Sequence, residues 1–239
     1  MKKIISAILV MATMCSLMVP AFAVYQPEDE VVTTVLTDNE NIRKVRSTLN
    51  EITYVTEYEK KENTLTVSEM KDGIAVDSVF IDLNEAMVAL YSNDGDQKED
   101  GKRIKYEHTI LNYEYEEYLF DNYPGDAFWY LRHPKADPEE RSVYEHPING
   151  SAYTSSIDEY VEGVDKINSA EGVIGVMGVS VVAAWLVTKG VIPLPELYAG
   201  IQSLLAGIGI TGAASASYNL SKGINACDTA WQEIFGAFD

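Results

Sequence analysis

GVIGVMGVSVVAAWLV (172–187) is as apolar as a membrane span, yet it lies late in a 239-residue chain whose formal net charge is −19. What covers this stretch decides the fold. Nothing between Gly172 and Thr188 carries a charge, and Lys189 ends the run. KGVIPLPE (189–196) follows; its two prolines and glycine cannot continue a helix, so the chain is predicted to turn back there. LYAGIQSLLAGIGITGAASASYNLS (197–221) is again uncharged. At ~1.5 Å per residue the first arm reaches roughly 26 Å and the second about 38 Å, against a hydrocarbon core of ~30 Å. The pattern predicts an antiparallel helical hairpin with arms at about 170–188 and 197–221.

Small residues give the hairpin its character. Gly172, Gly175 and Gly178 step by three, Ala199, Ala206 and Ala213 by seven, and Gly209 and Gly212 lie nearby. In water a helical glycine costs about 1 kcal/mol relative to alanine. Within apolar helices, repeated glycines let two backbones approach closely. These eight residues and Trp185 are therefore the candidates for helix packing or membrane activity. Two coverings satisfy the pattern: lipid, or the rest of the protein.

Helix is predicted on both sides of the hairpin. Ser156 and Glu159 match an S-x-x-E capping box, and Asp158 suits the positive end of the helix dipole. Ile157, Tyr160, Val161, Val164 and Ile167 recur at three and four and form one apolar face. At the other end, Ile224, Cys227, Trp231, Ile234 and Phe238 form the stripe of a final amphipathic helix.

The charge is unevenly spread. Residues 24–166 hold 32 acidic and 14 basic side chains, whereas 167–239 hold five and two, together with 10 of the 16 glycines. A boundary near 150–170 follows, with a β-rich acidic domain (24–150) and a helical domain (151–239). VVTTVL (31–36), KVRSTL (44–49), ITYVTEYE (52–59), NTLTVSEM (63–70) and VDSVFIDLN (76–84) have strand composition, and KKEN and KDG have turn chemistry between them. LNEAMVALY (83–91) fits strand or short helix. Strands are also expected from Leu111 and over Ala127–Leu131, whereas HPKADPEERSVYEHP (133–147) reads as loop. The predicted class is α+β: an antiparallel β-meander followed by a hydrophobic Gly/Ala-rich α-helical hairpin and a last amphipathic helix.

No reaction is named by the sequence, and the expectation is a protein that is not an enzyme. No G-x-S-x-G elbow, P-loop or G-x-G-x-x-G after a strand occurs. His108, His133 and His146 lack metal-ligand spacing, so no metal or cofactor is expected. Counting Asp96 as the first position of a calcium loop puts Asp100 at five, Gly101 at six and Glu107 at twelve. Lys98 then falls where a ligand oxygen is needed, and 92–103 reads instead as a solvated connection. Six tyrosines in 104–134 suit a packed sheet face better than a stacking platform for ligands. The acidity disfavours nucleic acid as a partner and also simple electrostatic capture by anionic lipid.

The N-terminus supplies an address. Lys2 and Lys3, an apolar run over 4–19, Pro20 and Ala21-Phe22-Ala23 have the order of a signal peptide cleaved after Ala23. Secretion from a Gram-positive bacterium is expected. Only Cys227 then remains, so no intramolecular disulfide is available to the exported chain.

KVRSTLNEITYVTEYEKKENTLTV, the HTILNYEYEEY…FWYLRHP stretch, and a capped helix running into a Gly/Ala-rich hairpin occur here in one order. That order resembles the large secreted bacteriocins of the geobacillin type found in Firmicutes. The resemblance implies a heat-labile antimicrobial protein and transfers no catalytic residue. Expected partners are a bacterial membrane, a cell-surface receptor and an immunity protein. The alternative expectation is an extracellular binding module held on its own cell by the hairpin. Mass spectrometry of the exported protein is expected to find Val24 at its N-terminus; a chain still beginning at Met1 would contradict the cleavage reading.

Overall fold

Alternating β-branched and polar residues build two antiparallel meanders in a computed structural model that describes residues 30–85, 102–119, 127–145, 153–210 and 214–236. The first sheet is β1 (Val32–Asp38), β2 (Ile42–Leu49), β3 (Ile52–Glu59), β4 (Thr64–Lys71) and β5 (Ile74–Asp82), hydrogen-bonded in chain order. The second is β6 (Lys102–His108), β7 (Glu114–Leu119), β8 (Ala127–Arg132) and β9 (Glu140–Glu145), also in chain order. Three helices follow: α1 (Thr154–Lys189), α2 (Leu194–Gly207) and α3 (Ala214–Phe235). The class is α+β, as the alternation and helical periods predict.

Period-two alternation gives the first sheet one dry face. Val45, Leu49, Tyr54, Leu65, Val67, Val79 and Ile81 are buried. Their neighbours make cross-strand pairs on the other face: Lys44 with Glu57 at 2.7 Å, Thr48 with Thr53 at 3.2 Å and Ser68 with Ser78 at 2.8 Å. Left-handed Asn50, Asn63, Asp72 and Gly73 close the hairpin turns, residues whose side chains tolerate that backbone. The passage from strands to helices coincides with the change in composition, and one apolar core is continuous across it.

α2 lies on the dry face. Every residue from Leu197 to Gly207 is buried. Thr56 of β3 meets Ser203, hydroxyl to hydroxyl, at 2.8 Å, and Arg43 Nε donates to the Ala206 carbonyl at 2.9 Å. Gly207 is where the helix comes nearest the sheet, since a Cβ there would collide with Thr56. Burial of Leu197, Ile201, Leu204 and Leu205 in the core stabilises α2 by ~1.5–3 kcal/mol per side chain.

The hairpin exists, with a first arm that continues the preceding helix and a second arm shorter than predicted. α1 runs antiparallel first to α3 and then to α2: Gly163 meets Gly223 and Cys227, Gly178 meets Leu205, and Trp185 meets Gly200. Both arms are interrupted at the same level. Gly175 has φ 68 and ψ 173, which kinks α1, and Gly209 has φ 88 just beyond the end of α2. The predicted 197–221 arm is thus not one helix; it ends at Gly207, and α3 absorbs its remainder. Glycine alone adopts such positive-φ conformations at no steric cost, so residues placed by spacing as packing positions act here as breaks.

Other expectations are corrected locally. Ser156 does not cap α1, which begins at Thr154; its hydroxyl donates to Glu233 Oε2 on α3 at 2.6 Å. Strand β9 occupies part of the expected loop 133–147, because Arg141 and Val143 pair with Leu131 and Trp129 of β8. Lys102 and Arg103 open β6 rather than ending a loop. Residues 83–85 are helical, while 86–91, the calcium-loop positions Asp96 to Gly101, the signal segment with Ala23, and Phe238 lie outside the described residues.

The α1–α3 contact yields a stability prediction. A Cβ on Gly223 would sit 2.6 Å from the Gly163 carbonyl oxygen, and one on Gly163 would sit 2.7 Å from Cys227 Sγ. Gly223→Ala is expected to destabilise by about 1–3 kcal/mol through overpacking. Gly172→Ala, in open space, is expected to stabilise by roughly 0.5–1 kcal/mol. Urea unfolding of both variants checks the sign; equal effects would contradict the packing described.

Candidate membrane-contact site

The apolar run 172–187 is covered unequally. α1 is long and apolar enough to cross a membrane, and 56% of its most apolar 18-residue window is buried. The covered part begins at Gly178 and includes Val179, Val181, Val182, Trp185 and Leu186. The uncovered part is a short tip around the kink. Val173, Val176 and Met177 are 59%, 43% and 42% exposed, and Gly172 and Gly175 have no atom within 4 Å of an added Cβ.

Two polar contacts hold this tip. Just before it, Glu171 is buried, and its carboxylate accepts from the backbone N–H of Ile110 at 2.7 Å and of Leu111 at 2.8 Å. That clasp ties α1 to the β6–β7 turn, whose own Thr109 and Tyr113 are hydrogen-bonded to each other. Burial pushes the Glu171 carboxyl above the usual carboxylate range, while the two N–H bonds and His108 pull it back. At the far end Lys189 pairs with Asp77 of β5 and approaches Glu69 of β4 at 3.8 Å. Val187 and Val191, on either side of Lys189, are 86% and 53% exposed.

The nine candidates for helix packing or membrane activity fall into four groups. Trp185 and Gly178 do make close contacts: the indole lies on Gly200 and edge-on to Tyr54 at 6.0 Å, and Gly178 faces Leu205 and Ile210. Ala199 and Ala206 are buried in α2. Gly172, Gly175 and Gly209 make no close approach; an added Cβ would meet nothing within 4 Å, and the last two are backbone breaks. Gly212 and Ala213 lie outside the described residues. The tightest backbone approach, Gly163 to Gly223, was missed because each glycine stands alone in a mixed-polarity helix, where no small-residue repeat draws attention. Gly200 under Trp185 and Gly207 over Thr56 stand one residue beyond Ala199 and Ala206, so the seven-residue repeat pointed to their neighbours instead.

The titratable residues are built into structure. Among the described residues, no three His, Cys, Asp or Glu side chains converge to hold a metal ion. His108 Nδ1 lies 3.1 Å from Glu114 Oε2. Glu107 belongs to strand β6, where it accepts from Asn168 of α1 at 2.6 Å. Tyr113, Tyr115 and Tyr118 are buried. Tyr115 donates to Asp165 at 3.0 Å and Tyr118 to Glu116 at 2.6 Å, and burial with that carboxylate pushes the Tyr118 hydroxyl up to about 12. Cys227 is buried between α1 and α3, with its thiol pushed well above the ordinary value by burial. His146 lies outside the described residues. No protein-family model, curated protein or solved structure matches this chain.

The Glu171 clasp is testable. Glu171→Leu leaves two backbone N–H groups without their acceptor and is expected to cost about 1–3 kcal/mol, with Glu171→Gln costing less because one acceptor remains. The sign with pH is also set. A carboxyl held above its unfolded value binds its proton more tightly when folded, so its contribution to stability grows as pH falls through the folded value. Stability curves of wild type and Glu171→Gln measured from pH 7 to pH 4 are therefore expected to diverge as pH falls; parallel curves would contradict the assignment.

Proposed function

We propose that this protein is an exported, non-enzymatic, membrane-active protein of bacteriocin type, whose kinked helix α1 first meets a target membrane through Val173, Val176 and Met177. The observation that carries the reading is the half-covered apolar run: a helix of membrane-spanning length whose break exposes three large apolar side chains. α2 and α3 cover most of the remainder, Val187 and Val191 near the reversal being exposed as well. The order of signal-like segment, β-rich half and Gly/Ala-rich hairpin, which resembles large secreted bacteriocins, supports the same reading.

The formal net charge of −21 on residues 24–239, which is the chain's −19 without Lys2 and Lys3, shapes the mechanism. Anionic headgroups repel such a chain within about a Debye length, ~8 Å at physiological ionic strength. Contact then depends on apolar insertion or on a receptor, and not on basic residues. α2 is covered by the first sheet along its length, so an anchor made of both arms would first have to strip that sheet bare. The tip of α1 needs no such step, which favours attack over anchoring.

Dye release from zwitterionic and from phosphatidylglycerol vesicles tests the reading on residues 24–239. Wild type is expected to release dye, more readily from zwitterionic vesicles. Val173→Asp with Val176→Asp is expected to lower release at least tenfold while leaving urea unfolding unchanged, since both side chains are exposed. No release from either vesicle together with no killing of sensitive bacteria, or equal release by the variant, would contradict it.

A further inference from the structure

A buried polar cluster joins the second sheet to α3. His133, at the end of β8, is fully buried, and its Nε2 lies 2.9 Å from Asp228 Oδ1 of α3. Lys135 Nζ donates to the other carboxylate oxygen of Asp228 at 2.9 Å. The backbone N–H of Lys135 donates to His133 Nδ1 at 3.2 Å. Nδ1 is thus an acceptor, which leaves the single proton of a neutral ring on Nε2, donating to Asp228. The ring stands edge-on to Tyr113 at 5.0 Å and tilted against Trp231 at 5.3 Å. A tight turn frames it, with His133 N donating to the Glu139 carbonyl at 2.7 Å and Ala136 N donating to the His133 carbonyl at 3.1 Å.

We propose that His133, Asp228 and Lys135 form an acid-sensitive latch that holds α3 against the second sheet in neutral medium and opens when the imidazole takes up a second proton. The proton has one place to go, Nδ1, and there it would face the Lys135 N–H, donor against donor. The 133–136 turn must then open, which withdraws Lys135 from Asp228 and the ring from Trp231. α3 also packs on α1 through Gly223 and Gly163, so freeing its sheet-facing side loosens the helix pair that leads into the tip. In its consequence for insertion the latch rests on the membrane reading above; as a structural switch it does not.

The surrounding groups leave the histidine as the one that responds. Facing it are Asp228 from α3, Lys135 from the β8–β9 connection and Tyr113 from the β6–β7 turn; Tyr160 of α1, whose hydroxyl donates to the Arg132 carbonyl, and Cys227 of α3, whose thiol donates to the Tyr160 carbonyl, lie beyond. Burial holds Tyr113, Tyr160 and Cys227 well above their ordinary values, so all three stay neutral from pH 8 downward. Arg132, Glu114 and Glu139 form a paired ring of charge beyond them. Burial lowers the imidazole below its ordinary value, against the pull of Asp228. The sign follows: stability from this group is full above the unfolded imidazole value, ~6.5, and is lost as pH falls below it.

Three measurements on the 24–239 chain decide it. Ring-nitrogen NMR is expected to show His133 neutral, with its proton on Nε2, at pH 7.5 and titrating below the ordinary imidazole value; a ring already charged at pH 7.5 overturns the latch. Amide exchange across 214–235, corrected for intrinsic rates, is expected to rise at least tenfold between pH 7.5 and 5.0. In His133→Gln, which keeps the bond to Asp228 and cannot take up the proton, it is expected to stay flat. An equal rise in both proteins overturns the latch, and so does uptake of the proton by wild-type His133 with exchange unchanged, a result that does not require the variant to fold. Dye release that grows with acid in wild type alone supports the link to insertion. The absence of release at every pH contradicts the membrane reading, while NMR and exchange still decide the latch.

Discussion

Two long apolar segments in a strongly acidic chain must be kept from water, and the fold is organised around that constraint. The backbone contact between Gly163 and Gly223 is where the solution is tightest. With no Cβ on either side, α1 and α3 approach until one glycine's carbonyl occupies the place of the other's side chain. That approach buries Ile157, Tyr160, Val164, Ile167, Leu220, Ile224 and Trp231 in one seam. The other half of α1 is treated differently: it packs on α2, and α2 packs on the dry face of the first sheet. One helix therefore uses two covers, with a glycine break where they meet.

The break at Gly175 and the break at Gly209 belong together. Straight helices would have to keep one packing partner along 36 residues, whereas the paired interruption lets the partner change from α3 to α2. The cost is a tip where neither cover reaches, and there Val173, Val176 and Met177 meet solvent. Glu171 before the tip and Lys189 beyond it are each held by the sheets, so the uncovered segment has fixed ends. Functional reading and structural economy thus point to the same few residues.

Much of this was legible in the sequence. Alternation in ITYVTEYE and NTLTVSEM located strands closely, since one face of each must be dry and the other wet. The prolines of KGVIPLPE located the reversal between α1 and α2. The glycine roles were not legible, because a helical glycine that admits a neighbouring backbone and one that breaks the helix look alike in spacing. Gly172, Gly175 and Gly209, candidates for packing or membrane activity, make no close packing contact and are open or have positive φ. Gly163, isolated in the sequence, and Gly200 and Gly207, each one residue past an alanine of the repeat, make the close contacts. Ser156 shows the same limit: its match to a capping box is genuine, but a carboxylate from α3 claims its hydroxyl. His133 gave no motif at all, since its partner Asp228 is 95 residues away.

The central claim is that the tip of α1 leaves water for lipid while the acidic first turns of the same helix do not. A solvent-sensitive fluorophore on Met177→Cys, with one on Asp158→Cys as reference, measures this directly; buried Cys227 stays unlabelled in the folded protein. On adding zwitterionic vesicles the account expects a blue-shifted emission at position 177, quenched by lipid-borne quenchers, with position 158 unchanged. Emission at 177 that remains water-like under conditions where the protein releases dye or kills cells would contradict it.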